Sequence, residues 1–262
     1  MNQDINSIRQ ELERRRTILI CLAQDLSFPM EIVERSRIQS ILEHWEIPLK
    51  PASIPDLVKQ FCVSAFSYAP LRRYLKTQIR EIPMRDTVAL ALSKVFNKAD
   101  FLIDSNWLPK ALNELAVTIQ SENRYDLTSR QFNPRITAVL LSGTMKLGQE
   151  LENGIELFYS KILKVTKPLE MWNLVNEFSS SIDQVGPALI CDFFKEVGFV
   201  RYVKVDHHFR REFPTLLNDL TSCGKNPKQS FILSQELADA VGITPFHLDA
   251  ILYLWGRYGG KK

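Results

Sequence analysis

"IDQVGPALICDFFKEVGFVRYVKVDHHFRREF", residues 182–213, decides how this chain is read. Gly186-Pro187 opens the apolar run PALICDFFKEV and Gly198 closes it, which is the start and stop pattern of a short helix. A basic stretch then delivers Asp206, His207 and His208, and a further helical pattern, HHFRREFPTLL, follows with Asp206 at its opening. Upstream, PLEMWNLVNEFSS at 168–180 also has helical spacing. Two short helices joined by a few residues that include a glycine therefore occupy about 168–198. Glycine at 186 is free to take backbone angles closed to other residues and lets a phosphate come close. The helix that starts at Pro187 turns its unsatisfied N–H groups and positive dipole end toward the same anion. Such a hairpin positions a duplex by its backbone without reading its sequence.

The rest of the chain is helical in pattern. In 5–26, Ile5, Ile8, Leu12, Ile18, Leu19 and Leu22 recur near a period of 3.6. FPMEIVERSRIQSILEHW (28–45) repeats the signature and stops before Pro48 and Pro51, and Ser53-Ile54-Pro55 starts another helix. Segments 84–103, 106–120, RITAVLLSGTMKLG (135–148) and ELENGIELFYSKIL (150–163) follow the same rule. Thr244-Pro245 reads as an N-cap and first-turn proline for FHLDAILYLWGRY. The polar stretch 121–134 is a loop or a soft boundary. Alternation at period 2 never persists, and YVKV (202–205) is too short for a strand. The expected fold is all-α.

Composition narrows the function classes. The 262 residues are 45% hydrophobic and 24% charged, as in a soluble globular protein. A net charge of +3 permits nucleic-acid binding without demanding it. Cys21, Cys62, Cys191 and Cys223 lie far apart with no C-x-x-C pair, so neither a metal site nor any other cofactor is expected. Cys21 and Cys191 sit in apolar runs and read as small core residues. The charged, helix-like N-terminus is not expected to act as a secretory signal, and no stretch nears the roughly 18 apolar residues of a membrane span. The expected setting is a cytoplasmic monomer away from membranes, nucleoid-associated if prokaryotic.

The order and spacing in 168–215 resemble the helix-hairpin-helix DNA glycosylase superfamily, the group that includes endonuclease III and the alkyladenine glycosylases. That family has a hairpin of hydrophobic-Pro-Gly-hydrophobic-Gly form and, after a helix, a V-D-x-H-x-x-R segment with the catalytic Asp. Ile182, Val185 and Gly186 match the first part, and Val205, Asp206, His208 and Arg211 match the second. Gln184 stands where the family has its first glycine, and Asp183 where it has proline. Ala188 stands where bifunctional members carry the lysine that forms a Schiff base, so lyase chemistry by that route is not expected.

The resemblance implies a two-lobed helical fold with the substrate between the lobes. It implies region 1–104 packed with helices of 205–262, and a lobe of 105–204 ending in the hairpin. The implied partner is double-stranded DNA, contacted through Gln184, Val185, Gly186, Ala188, Lys204, His208 and Arg211. The implied activity is base excision in DNA repair: hydrolysis of the N-glycosidic bond of a flipped damaged or modified base, with Asp206 stabilising the oxocarbenium-like sugar and orienting water. Flipped bases stack on aromatic faces, and Trp107, Tyr125, Trp172 and Trp255 are the candidates for that pocket.

Simpler readings stand beside these. An Asp before a helix is a good N-cap in its own right, so a non-catalytic DNA-binding hairpin protein is the alternative. Tryptophans in apolar helical patterns are core residues by default. The arginine run at 14–16 reads as a solvated helix face.

Overall fold

The computed structural model describes residues 4–30, 32–66, 133–217 and 226–259, and these contain helices and connections with no strand among them. The α-helices are α1 (Ile5–Gln24), α2 (Ile32–Ile38), α3 (Ile54–Phe66), α4 (Asn133–Leu151), α5 (Ile155–Leu163), α6 (Pro168–Ser181), α7 (Pro187–Glu196), α8 (His207–Leu216), α9 (Pro227–Val241) and α10 (Pro245–Leu254). Two π-helical turns, Gln39–Glu43 and Trp255–Gly259, extend α2 and α10. Segments 84–103 and 106–120, residues 121–132, Trp107, Tyr125 and Cys223 lie outside the described residues, and the last two positions of the loop read at 121–134 begin α4.

The chain divides into two compact units. One is built from both ends, 1–49 with 167–172 and 198–262, and the other from the middle, 50–166 with 173–197. Helix α3, assigned from sequence to the N-terminal region, belongs to the middle unit, and a boundary at 104 falls outside the described residues.

In the middle unit, Ser53 and Asp56 begin α3 with a reciprocal cap: the Asp56 N–H donates to Ser53 Oγ (3.2 Å), and that hydroxyl donates to Asp56 Oδ2 (2.7 Å). Helix α3 packs against α4 and α7. Phe61 lies edge-on to Phe193 at 5.4 Å, and Phe194 meets Phe178 at 5.1 Å. Each fully buried phenylalanine contributes about 1.5–3 kcal/mol through area removed from water. An ionic network runs from the half-buried Lys146 and Glu150 to the surface: Lys146 bonds Glu150 (2.8 Å) and the exposed Glu177 (2.9 Å), and the exposed Lys161 bonds Glu150 (2.7 Å). The sequence pattern runs ELENGIELFYSKIL together as one helical stretch, but Gly154 sits at φ 91° and separates α4 from α5.

In the unit formed by the ends, Ile8, Leu12, Leu19 and Ala23 form the buried stripe of α1. Cys21 falls between two of those positions and is exposed, which corrects its reading as a core residue; Cys191 is buried as expected. The arginine run is corrected at two of its three positions, Arg14 being exposed as expected. Arg15 is 4% exposed and bonds Glu11 (2.8 Å), while Arg16 lies over the Trp45 ring at 4.6 Å. Helix α1 packs on α9 and α10, and α8 packs on α10; within α8 the buried rings of Phe209 and Phe213 stack at 4.9 Å. Helix α10 begins as the sequence specifies: Thr244 Oγ1 accepts the His247 N–H at 3.2 Å, with Pro245 following the cap.

Candidate functional site: an open glycine turn and a capping carboxylate

Gly186 belongs to the middle unit and Asp206 to the unit formed by the ends, so each is described in its own surroundings. The link from α6 to α7 is pinned from beneath. Val185 is 3% exposed; its N–H points to the Ile182 carbonyl (3.4 Å), and its carbonyl accepts the Ser179 hydroxyl at 2.8 Å. The side chain of Val185 and both its backbone groups are thus engaged within the protein. Ser142 on α4 accepts the Asp183 N–H at 2.9 Å and fixes the other end of the link.

The conformational role expected of Gly186 falls on a different residue. Gly186 has φ −82° and ψ 168°, ordinary extended backbone, whereas Gln184 takes φ 63° in the left-handed region. The left-handed position of this turn is therefore held by a residue that carries a side chain. What Gly186 supplies is room: a Cβ added there would have nothing within 4 Å, and the residue is exposed. No side chain caps α7, whose first residue is Pro187, and Ala188 behind it is half-exposed. Glycine also matters beyond α7, where Gly198 at φ 96° ends the helix in the left-handed conformation.

The segment after Gly198 is extended and tied to α10. Val200 accepts the Phe246 N–H at 2.9 Å, and the Lys204 N–H donates to Asp249 Oδ2 at 3.2 Å. Asp249 is 2% exposed, so this anchor is internal. Val203 and Val205 are buried, and the chain enters α8 through Asp206, which is half-exposed. Asp206 Oδ1 accepts the N–H groups of His208 (2.9 Å) and Phe209 (3.1 Å), while Oδ2 has no hydrogen bond among the described residues. The carboxylate is thus an N-cap with one oxygen fixed, at the positive end of a ten-residue helix.

Around Asp206, His207 and His208 lie ring against ring at 3.8 Å, and His208 meets the Tyr253 ring edge-on at 5.4 Å. Burial, with the neighbouring His207, Arg211 and Arg257 and against the pull of Asp206, holds the His208 imidazole below its usual value. Tyr253 Oη accepts from Arg257 Nη1 at 3.2 Å, and Arg257 in turn pairs with Glu34 on α2, which also receives the Tyr258 hydroxyl. Burial lowers the Arg257 pKa, but Tyr253, Glu34 and Tyr258 outweigh it and raise it overall. Sequence reasoning missed Tyr253, Arg257 and Glu34. The last two stand 223 positions apart, and no local pattern joins them.

The remaining candidates are placed differently. Arg211 is exposed, but its guanidinium donates to the Gly256 carbonyl (2.6 Å) and to Glu212 (2.8 Å). Trp172 is 6% exposed against Phe231 at 5.4 Å, a core residue because the phase of α6 turns Met171 and Trp172 inward together. Trp255 is half-exposed and carries the guanidiniums of Arg14 and Arg15 over its ring at 5.1 and 5.2 Å. Among the described residues no group of three or more His, Cys, Asp or Glu is arranged to hold a metal, and no single helix is long and apolar enough to cross a membrane. Comparison with known proteins gave no matching family model, no matching curated protein and no matching solved structure.

Proposed function

We propose that the chain is a monofunctional DNA glycosylase of the helix-hairpin-helix type, holding duplex DNA at the turn around Gly186 and hydrolysing the N-glycosidic bond with Asp206. One observation carries the reading: Asp206 is half-exposed, with Oδ1 fixed by two backbone N–H groups and Oδ2 unengaged among the described residues. A carboxylate oriented in this way can face positive charge developing on a sugar carbon and accept a proton from the attacking water. The open space over Gly186 and the uncapped start of α7 support the DNA-binding half of the proposal. Ala188 supplies no amine for a Schiff base, so the product is an abasic site in an unbroken strand.

The cap bonds themselves favour a second reading, a DNA-binding hairpin protein in which Asp206 only begins α8. Duplexes bearing single modified bases separate the two. The enzyme reading expects strand breaks that appear only after alkali treatment of the reacted DNA. Salt-dependent binding with no alkali-labile site on any duplex supports the second reading, and no salt-dependent binding overturns both.

A further inference from the structure

The polar constellation against His208, two residues after Asp206, contains a phenol whose oxygen already accepts one hydrogen bond. A tyrosine hydroxyl has one hydrogen to donate and two lone pairs to accept with. Arg257 Nη1 donates to Tyr253 Oη at 3.2 Å, so the proton of Tyr253 is directed elsewhere. That bond fixes the oxygen and leaves the O–H pointing away from the guanidinium. Arg257 is held by Glu34, and Glu34 by the Tyr258 hydroxyl as well, so the donor is fixed from behind. Tyr253 is half-exposed and meets His208, two residues into the helix that Asp206 caps. The clamp reaches back to Tyr253 from the π-helical turn Trp255–Gly259, a departure from α-helical spacing that is common at functional sites.

Resting on the glycosylase reading above, we propose that Tyr253 donates a hydrogen bond to the departing base, with Arg257 and Glu34 as positioning residues, and that the substrates therefore include neutral bases. The chemistry divides bases by charge. When the C1′–N bond of a neutral base breaks, both bonding electrons leave with the base, which departs as an anion and gains from a donor at its carbonyl or ring nitrogen. Water forms the new C1′–O bond, its proton passes to the Asp206 carboxylate, and the base anion takes a proton from solvent. A cationic alkylated base departs neutral and has no such need. Asp206 serves both classes, whereas Tyr253 serves the first.

The test is single-turnover base release by the full chain from duplexes carrying uracil, hypoxanthine or 7-methylguanine. Wild type, Tyr253→Phe, Arg257→Met, the double variant and Asp206→Asn are compared. Tyr253→Phe should slow release of uracil and hypoxanthine about 100-fold, the usual scale for one proton-donating group, and leave 7-methylguanine within a small factor of wild type. Arg257→Met should slow the same two bases, and in the Tyr253→Phe background it should add nothing, because it acts through the phenol. The single oxygen removed in Tyr253→Phe leaves the ring in place, so this variant decides even where Arg257→Met fails to fold. An equal loss on all three bases, no loss on any, or wild type that releases only 7-methylguanine overturns the role of Tyr253 and leaves the glycosylase reading standing. Release of no base by wild type overturns that reading, and the role of Tyr253 with it.

Discussion

Gln184→Gly and Gly186→Ala move the glycine to the position where the backbone asks for it. Gln184 sits at φ 63°, and holding a side-chain-bearing residue there costs about 1–2 kcal/mol. Its side chain is exposed and makes no hydrogen bond among the described residues, so nothing in the contacts offsets that strain. Glycine removes the strain but adds roughly 0.5–1 kcal/mol of chain entropy to the unfolded state. The net for Gln184→Gly is a gain of about 0.5–1 kcal/mol. Gly186 is at φ −82°, ψ 168°, with nothing within 4 Å of the place an added methyl would take, so Gly186→Ala should be neutral or stabilising by up to about 1 kcal/mol. Urea unfolding of the two variants measures both terms. The DNA readout runs the other way: the alanine methyl stands where a phosphate is proposed to approach, so Gly186→Ala should weaken duplex binding while the fold is unharmed. Loss of stability in Gln184→Gly, or loss of both stability and binding in Gly186→Ala, would refute this division between backbone strain at one residue and open space at the other.

Further outcomes follow from burial and charge. Asp206→Ala should lose about 1 kcal/mol of stability through the cap bonds to His208 and Phe209, read by thermal unfolding; Asp206→Ser, which keeps a capping oxygen, should recover most of it. Gly143→Ala should cost about 1–3 kcal/mol in denaturant unfolding, because the added methyl lands 2.3 Å from the Phe61 ring and the ring is fixed by Phe193. His208 and His247 are both held below their usual value, chiefly by burial. As pH falls the unfolded chain takes up those protons first, so their contribution is full above the ordinary histidine value of 6.5 and is lost below it. Melting temperature should therefore drop from about pH 8 to about pH 5, and His247→Gln should flatten the drop; a rise toward acid would contradict the burial argument. Glu11 acts lower down. The hydrogen bond from Arg14, with Arg15 and against partial burial, lowers its carboxyl to about 2. Its contribution is present above the ordinary 4.5 and lost as pH falls toward 2, so Glu11→Gln should remove part of the acid sensitivity in that window.

What the sequence made legible was local. The helix starts at Ser53, Asp206 and Thr244, and the helix end at Gly198, are written in residue types whose side chains or backbone freedom act within four positions. The all-α class followed from apolar periodicity, which reports a face turned inward whatever that face meets. The failures share a cause. Arg15 is buried because Glu11 and the far-off Glu212 compensate its charge, and Cys21 is exposed because the helix phase, not its apolar neighbours, sets its direction. Gly154 divides what reads as one helix, because a single positive φ outweighs the hydrophobic pattern on either side. At the candidate site the carboxylate was readable and its surroundings were not. Glu34, Tyr253 and Arg257 come together only when α2 and the C-terminal π turn are folded into one unit.

The central claim is that the carboxylate at position 206 performs base release and does not merely begin a helix. Asp206→Asn keeps an oxygen for the cap and removes the negative charge, so one variant separates the two roles. Measured on a duplex from which wild type releases a base, Asp206→Asn should bind that duplex with wild-type affinity and salt dependence, unfold at nearly the wild-type temperature, and release no base above background. Release by Asp206→Asn at a rate near that of wild type would contradict the account and leave Asp206 as a cap alone.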